Sequence, residues 1–183
     1  MLTRDLVRAI RDLRERLRLP KQADASRLWE DLAGDPRVAF VAVQALIDAP
    51  GPAVLMLKDQ TKPPTAAEGD RVERLLERLD SDQFAVRQAA LQELRRLGWA
   101  IEPALRQALA AKPSAQTAAA LEGLLIEARQ RPGAEALRSL RALRVLERVA
   151  TPETAKLLEA LAEGSPAFAI THDARDSLTR LRK

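Results

Sequence analysis

The chain has 183 residues, of which 46% are hydrophobic, and this suffices for one domain with a buried core. It contains no cysteine, which excludes disulfides, thiolate metal sites and cysteine nucleophiles. The net charge is +4. Residues 1–22 contain seven bases and three acids, so the remainder is neutral and the whole excess lies in this first segment.

Residues 1–20 are predicted to form a basic amphipathic helix that Thr3 can cap and Pro20 ends. Its apolar face is formed by Leu2, Leu6, Ile10, Leu13 and Leu17. Its opposite face is formed by Arg4, Arg8, Arg11 and Arg18. Such a helix can cap a helical stack, bind a partner protein, bind nucleic acid or lie on a membrane. We expect a cap with Leu6 and Leu13 buried, and the four arginines are the candidate contacts to a partner or to nucleic acid.

The repeat body is predicted over residues 26–183, and its first part contains three helices. In chain order we expect a helix over 26–33, a helix that starts at Asp35-Pro36 and ends near Asp48, a turn at Pro50-Gly51-Pro52, and a helix over 53–60. Residues 61–67 then form a loop. Thr65 with Glu68 can make a capping box for the next helix, and Asp70 is the alternative cap because Gly69 weakens a helix that starts earlier.

Residues 82–109 are predicted to be a helical hairpin. The first apolar stripe consists of Val86, Ala89, Ala90, Leu91, Leu94 and Leu97. After Gly98, which suits a left-handed position, the second stripe consists of Ile101, Ala104, Leu105, Ala108 and Leu109. We expect two antiparallel helices with a shared core and with Leu91, Leu94 and Leu105 buried. Asp80-Ser81-Asp82 is predicted to cap the first of them.

Four further helices are predicted after residue 113. A long helix to about residue 131 contains Gly123, which favours a close helix crossing there. A second helix covers residues 135–149. Thr151-Pro152-Glu153 caps a third that ends at Gly164, and Thr171 is predicted to cap a last helix.

Two stretches resemble HEAT-like repeats of the phycobilisome-lyase type, whose pattern is an acid, V-R-x-A-A-x-x-L, a turn and x-P-x-L-x-x-A-L. The first copy matches at Asp82, Val86, Arg87, Ala89, Ala90, Leu94, Gly98, Pro103, Leu105, Ala108 and Leu109. The second copy matches at Ala142, Leu146, Thr151, Pro152, Glu153, Ala155, Leu158 and Leu161. Residues 35–58 resemble a degenerate third copy.

The stretch from Leu28 through Leu161 is also similar to a helical segment appended to large WD-repeat proteins of planctomycete bacteria, through the runs LWEDLAGD and SDQFAVRQAA. The HEAT resemblance implies an all-α, right-handed α-solenoid of about four to five antiparallel helix pairs in one domain. It also implies a concave face that binds partners, usually proteins, and it implies no activity.

The sequence offers few candidates for chemistry. His172 with Asp173 and Asp176 has the spacing of metal ligands on one helical turn, but a single histidine and few convergent ligands favour a surface role. Asp80-Ser81-Asp82 lacks the glycine and glutamate of a calcium loop. Trp29 and Trp99 can stack on bases, although packing is the commoner use of tryptophan. No nucleotide-binding or acyl-transfer motif occurs, so we predict no catalytic residue, metal or cofactor.

The predicted function is therefore a non-catalytic module for protein–protein interaction or scaffolding. Nucleic-acid binding through the basic N-terminal helix is the alternative, and a HEAT-type DNA glycosylase, which needs a concave cluster of Trp, Arg and Asp, is a distant third. The charged N-terminus is unlike a signal peptide and no apolar run approaches the length of a membrane span, so we expect a soluble cytoplasmic protein. The sequence leaves the oligomeric state open.

Overall fold

The computed structural model describes residues 25–130 and 132–182. Over these residues the chain is all-helical, without a strand, which confirms the predicted fold class. The elements in chain order are α1 (Ala25–Asp31), α2 (Pro36–Asp48), α3 (Pro50–Gln60), α4 (Ala66–Arg78), α5 (Phe84–Leu97), a 3-10 helix (Gly98–Ile101), α6 (Glu102–Ala110), α7 (Ala115–Gln130), α8 (Ala134–Val149), α9 (Pro152–Ala162) and α10 (Ala169–Leu181). The predictions for residues 1–22 lie outside the described residues.

Several helices start where the local sequence predicts. The Asp35 carboxylate accepts two backbone N–H groups of the first turn of α2, at 2.8 and 3.2 Å. The Thr65 N–H donates to Glu68 Oε2 at 2.7 Å and the Glu68 N–H donates to Thr65 Oγ1 at 3.3 Å, which completes the predicted capping box. The Thr65 N–H and the Thr65 hydroxyl both donate to the Glu68 carboxylate, and these two bonds lower the pKa of that carboxyl. Thr151 caps α9 with Pro152 in the first turn.

Two predicted boundaries are wrong for reasons of backbone chemistry and burial. Pro50-Gly51-Pro52 is the first turn of α3 rather than a separate turn, because a proline in the first turn lacks only an N–H that would have no helical partner. Thr171 does not cap the last helix. It is buried in α10, which starts at Ala169.

The acidic stretch Asp80-Ser81-Asp82 does not cap α5 through its carboxylates. Asp80 Oδ1 instead accepts the hydroxyl groups of Ser114 at 2.7 Å and Thr117 at 2.9 Å, at the start of α7. These two bonds lower the pKa of the Asp80 carboxyl. Asp80 therefore joins the α4–α5 connection to α7, and the α5 N-cap, Gln83, makes no side-chain capping bond.

The described helices bury two separate hydrophobic cores. The first core contains Leu28, Trp29, Leu32, Ala42, Leu46, Ala53, Met56, Leu57, Ala142, Leu143, Val145, Leu146, Leu158, Leu161 and Ala174. The second core contains Val72, Leu75, Leu79, Ala90, Leu94, Ile101, Ala104, Leu105, Leu121 and Leu124. The first core thus joins helices from the two ends of the described chain, α1–α3 and α8–α10, and the second core is built from α4–α7.

This packing does not follow the chain order that a sequential solenoid has, in which each repeat contacts only its neighbours. Helix α2 packs against α8, and α3 packs against α8 and α9. Half-buried Arg141 on α8 reinforces this packing, since its guanidinium donates to Leu32 O at 2.5 Å and to Gly34 O at 2.9 Å. In the sequence, the segment α4–α7 therefore lies between the two groups of helices that form the first core.

The predicted hairpin of residues 82–109 shares one core, but its two helices have other main partners. Helix α5 packs chiefly against α4, and α6 packs chiefly against α7. The 3-10 helix that separates α5 from α6 contacts both helices and carries buried Ile101. The predicted direct pairing of α5 with α6 is therefore not confirmed.

The buried positions of the central segment agree largely with the sequence pattern. Leu94 and Leu105 are both 0% exposed, as predicted. Leu91 is only half-buried at the edge of the same core, so its predicted burial is wrong in degree. Gly98 has φ +52°, which is the left-handed region predicted for it.

Gly123 on α7 lies in open space rather than at a close helix crossing, because no atom approaches within 4 Å of a Cβ built there. Gly123→Ala is therefore expected to stabilise the fold by about 0.5–1 kcal/mol, since alanine loses less backbone entropy in a helix. Urea unfolding monitored by circular dichroism measures this gain. Gly98→Ala, at positive φ, is the matched control and should destabilise. A loss of stability in Gly123→Ala would contradict the open environment.

No single helix among the described residues is long and apolar enough to cross a membrane. Helices α2 and α3 together meet the length and composition of a span, but they are bent by 116° at Ala49.

Candidate functional site

A concave surface of about 980 Å³ lies where the two cores meet, and we call it the junction groove. It is formed by the loop before α4, one face of α4, one face of α6 and the end of α9 with the following loop. Its floor includes Pro64, Leu76, Ala104, Ala108, Ala160 and Pro166, and its rim carries Asp70, Glu73, Glu77 and Glu163.

Small residues hold the two cores together beneath the groove. The Ser165 N–H donates to Pro64 O at 2.9 Å, which joins the loop before α4 to the loop before α10. A Cβ at Gly164 would lie 2.9 Å from Pro64 Cδ, and a Cβ at Gly69 would collide with the Ser165 side chain. Glycine at these two positions therefore allows the loops to approach closely, and this approach shapes the floor of the groove.

The electrostatics of the junction groove are one-sided. Asp70, Glu73 and Glu77 are exposed and recur at steps of three and four, so they lie along one face of α4. Glu163 reaches the groove from the end of α9. None of the four carboxylates forms an ion pair with any described residue. The lining residues contain no lysine or arginine, so the groove presents an apolar floor below an unneutralised acidic rim.

The polar side chains that line the junction groove include the Ser165 hydroxyl and no histidine or lysine. Within residues 25–130 and 132–182 no group of three or more His, Asp or Glu side chains is placed to hold a metal ion. An apolar floor with a charged rim is the arrangement that receives an amphipathic helix.

Comparisons with models of known protein families, with curated proteins and with solved structures give no match.

Among the described residues, those that the sequence singled out for contact or chemistry do not line this groove. The arginines Arg4, Arg8, Arg11 and Arg18 lie outside the described residues. His172 is exposed, and its Nε2 lies 2.8 Å from Pro166 O. Trp29 is buried under the Arg138 guanidinium, 5.2 Å from its ring, and Trp99 is half-buried in the 3-10 helix, so both pack within the fold.

Asp173 on α10 is a half-buried carboxylate whose Oδ2 has no hydrogen-bond partner. Burial raises the pKa of this carboxyl, and the neighbouring Asp176 carboxylate raises it further, against smaller opposite effects of His172 and Arg180. The folded state therefore binds the Asp173 proton more tightly than the unfolded state does. Stability from this group is fully present below its unfolded pKa and is lost as the pH rises through its folded pKa.

Asp173→Asn is accordingly expected to raise the free energy of unfolding at pH 7, because the amide removes a poorly solvated charge. The gain should shrink as the pH falls and vanish below the ordinary aspartate pKa of 3.8, where the wild-type carboxyl is neutral in both states. Chemical unfolding at a series of pH values measures it. Asp176→Asn, at an exposed position on the same helix, is the control with a smaller gain. A gain that persists unchanged at low pH would contradict the raised pKa of the Asp173 carboxyl.

A second, smaller groove of about 430 Å³ lies between α2 and α8. Phe40, 52% exposed, lies on its apolar side with Val43 and Ile47. Arg144 and Arg148 are exposed on its other side. This groove is basic, so the two grooves differ in the sign of the ligand charge that they favour.

Sequence reasoning missed the junction groove because its walls come from three separated segments. The signal on α4 was present, since Asp70, Glu73 and Glu77 recur at helical spacing along one face, which Arg74 borders. Gly69 on the same helix was a second signal, since it weakens a helix without any local reason. Neither signal identifies the loop of residues 163–167 as a wall of the groove, because this loop is next to α4 only in the folded chain.

Proposed function

We propose that this chain is a scaffold of HEAT-like helix pairs packed out of chain order, which binds another protein, carries no catalysis and works in the cytoplasm. Its ligand is a basic amphipathic helix, and its binding surface is the junction groove. One observation carries the proposal: the groove combines an apolar floor with four carboxylates that no described residue neutralises. Helix-in-groove recognition uses this combination, with apolar anchors at spacings of three and four residues along the ligand.

The physical case rests on complementary charge and on floor shape. Alanine and proline side chains leave the floor shallow and wide, so leucines of a ligand helix can reach it and lose contact with water. Lysine or arginine side chains on the flanks of that helix then reach the rim. Each exposed ion pair contributes little to affinity, but several of them orient the helix and speed its association.

A selection of displayed helical peptides against the full chain tests the proposal. We expect enrichment of sequences with leucines at helical spacing and with basic residues beside them. Binding of the enriched peptides, titrated by fluorescence anisotropy, should weaken by about tenfold or more in the double variant Glu73→Lys, Glu77→Lys. The matched control is Glu122→Lys on α7, which changes an exposed acid away from the groove. Peptides that bind both variants equally would place the binding surface elsewhere.

Nucleic-acid binding through residues 1–22 is the alternative, and it is favoured by the location of the whole charge excess in that segment. If it holds, duplex DNA should bind more tightly than about 1 μM near physiological salt, and affinity should fall steeply as salt rises. We expect weaker binding than this. We also expect the fourfold variant Arg4→Gln, Arg8→Gln, Arg11→Gln, Arg18→Gln to change stability by less than about 0.5 kcal/mol at each site. Tight, salt-sensitive binding that this variant abolishes would replace the scaffold proposal.

A further inference from the structure

We infer that the junction groove has a ligand within the chain itself: residues 1–20 bind there and compete with the partner helix. This inference deepens the proposed function, because it assigns the groove an internal competitor of the same chemistry as the proposed ligand. The observations are the unneutralised rim, the charge of the N-terminal segment and the place where that segment joins the described helices.

The charges match in sign and in size. The groove carries four carboxylates without an ion-pair partner among the described residues. Residues 1–22 carry a net charge of +4, and all the remaining residues together are neutral. The segment that holds the whole charge excess of the chain is therefore opposite in sign to the rim of the groove. Carboxylates crowded in one groove repel one another, and a basic ligand removes that repulsion.

The apolar surfaces match as well. The floor of the groove is formed by alanines, prolines and half-buried Leu76. The predicted helix over residues 3–19 has a face of leucines and isoleucine about 25 Å long. Helix α4, whose 13 residues span about 20 Å, runs along one wall of the groove. Leu6, Ile10 and Leu13 would lie over this floor while the flanking arginines meet the rim.

Residues 1–24 join the described chain at α1, which belongs to the first core through Leu28 and Trp29. Glu30 near the end of α1 contacts Arg138 at 3.0 Å, and Leu32 O, just after α1, accepts from Arg141 at 2.5 Å, so the end of α1 lies beside α8. The groove lies at the edge of the same core, where Ser165 after α9 contacts the loop before α4. The N-terminal segment and the groove therefore adjoin the same core.

Residues 20–24 provide a short tether of about 17 Å when extended. A tether of this length gives the N-terminal segment an effective concentration on the order of millimolar, so even a weak interaction would keep the groove occupied. The same tether favours the segment of the same chain over that of a second copy. A free partner helix must then displace residues 1–20 before it can bind.

The absence of cysteine makes disulfide trapping a clean test. Leu6→Cys or Leu13→Cys is combined in the full chain with Ala108→Cys or Ala160→Cys in the groove. Phe40→Cys in the basic groove and Ile126→Cys on α7 are the reference positions, being 52% and 55% exposed in the wild type. Under mild oxidation we expect at least one groove pair to form an intramolecular disulfide about tenfold faster than either reference pair.

Adding Glu73→Lys and Glu77→Lys to the fastest groove pair should slow its disulfide by about tenfold at low salt and by less at high salt. Equal rates at groove and reference positions would overturn the inference. Faster disulfide formation with Phe40→Cys than with the groove cysteines would also overturn the inference, because it would place the N-terminal helix as a cap on α2. Disulfides that join two chains, seen as dimers on a non-reducing gel, would overturn the assignment to the same chain.

A second measurement separates this inference from the proposed function. The selected peptides should bind Leu6→Asp, Leu13→Asp about tenfold more tightly than wild type, because the internal competitor is disabled. Peptides that bind both proteins equally, without groove disulfides, would leave the proposed function standing and overturn the inference. Groove disulfides without any peptide that binds either protein would support the inference and overturn the proposed function.

Discussion

Leu94→Ala is expected to lower the free energy of unfolding by about 2–5 kcal/mol, which is the usual range for removing a large core side chain. Leu94 on α5 is 0% exposed and belongs to the second core, together with Leu75 on α4 and Leu105 on α6. Alanine at this position leaves a cavity that these helices cannot close without moving. Urea unfolding followed by circular dichroism measures the loss.

The matched control is Ile126→Ala on the neighbouring helix α7, where the side chain is 55% exposed. This change should alter stability by about 0.5 kcal/mol or less, as surface substitutions usually do. A loss below about 1 kcal/mol in Leu94→Ala would mean that α5 turns a different face to the core. Comparable losses of stability in both variants would contradict the burial of Leu94 and the exposure of Ile126.

Local chemistry accounts for the parts of the fold that the sequence predicts well. The side chains of Asp35 and Thr65 accept hydrogen bonds from backbone N–H groups only two or three residues further along the chain. Neighbouring residues in the sequence therefore suffice to predict that they cap helices. The apolar stripe on α5 is equally local and correctly identifies Ala90 and Leu94 as buried. Each of these predictions needs no knowledge of which helix lies opposite.

The partners of each helix could not be predicted in the same way. An apolar stripe shows that a face is buried, but not against what, and so the packing of α1–α3 on α8–α10 was missed. The 3-10 helix at Gly98–Ile101 was missed for a related reason, since four residues with one buried isoleucine carry too little periodicity to identify. The expected pairing of α5 with α6 depended on a short turn that the chain does not make.

Two arginines illustrate this difference between local and distant contacts. Arg87, one of the residues that match the repeat pattern, donates to Ser81 O at 2.6 Å and to Asp82 O at 3.0 Å. Arg141 makes the same kind of contact, but its acceptors on Leu32 and Gly34 lie more than a hundred residues earlier in the chain. No pattern within α8 distinguishes Arg141 from its exposed neighbour Arg144.

The junction groove depends on distant contacts even more strongly, because it exists only where the inserted segment α4–α7 meets the first core. Its acidic wall on α4 is visible in the sequence as a pattern of charges. Its other walls, on α6 and on the loop after α9, become neighbours of α4 through the backbone contact between Pro64 and Ser165. The position of such a binding surface therefore depends on the topology of the chain. Its preference for a basic ligand follows from the acidic face of α4, which the sequence does show.

Leu57→Ala tests that topology and is expected to lower the free energy of unfolding by about 2–5 kcal/mol. Leu57 on α3 is 0% exposed and belongs to the first core, which includes Leu146 on α8 and Leu158 on α9. In a stack that follows the chain order, a residue of α3 would pack instead against α4 and α5. The energy alone does not separate these two arrangements, so the location of the disturbance must also be measured.

Amide chemical shifts recorded by NMR supply that location. In Leu57→Ala the largest shift changes outside α3 should fall in α8 and α9, about eighty or more residues further along the chain, because the cavity opens against these helices. Leu55→Ala, on the same helix but 72% exposed in the wild type, should change stability by about 0.5 kcal/mol or less and leave those shifts in place. Shift changes concentrated in α4 and α5 would show that the helices stack in chain order, and the junction groove, which needs α9 beside α4, would then lose its third wall.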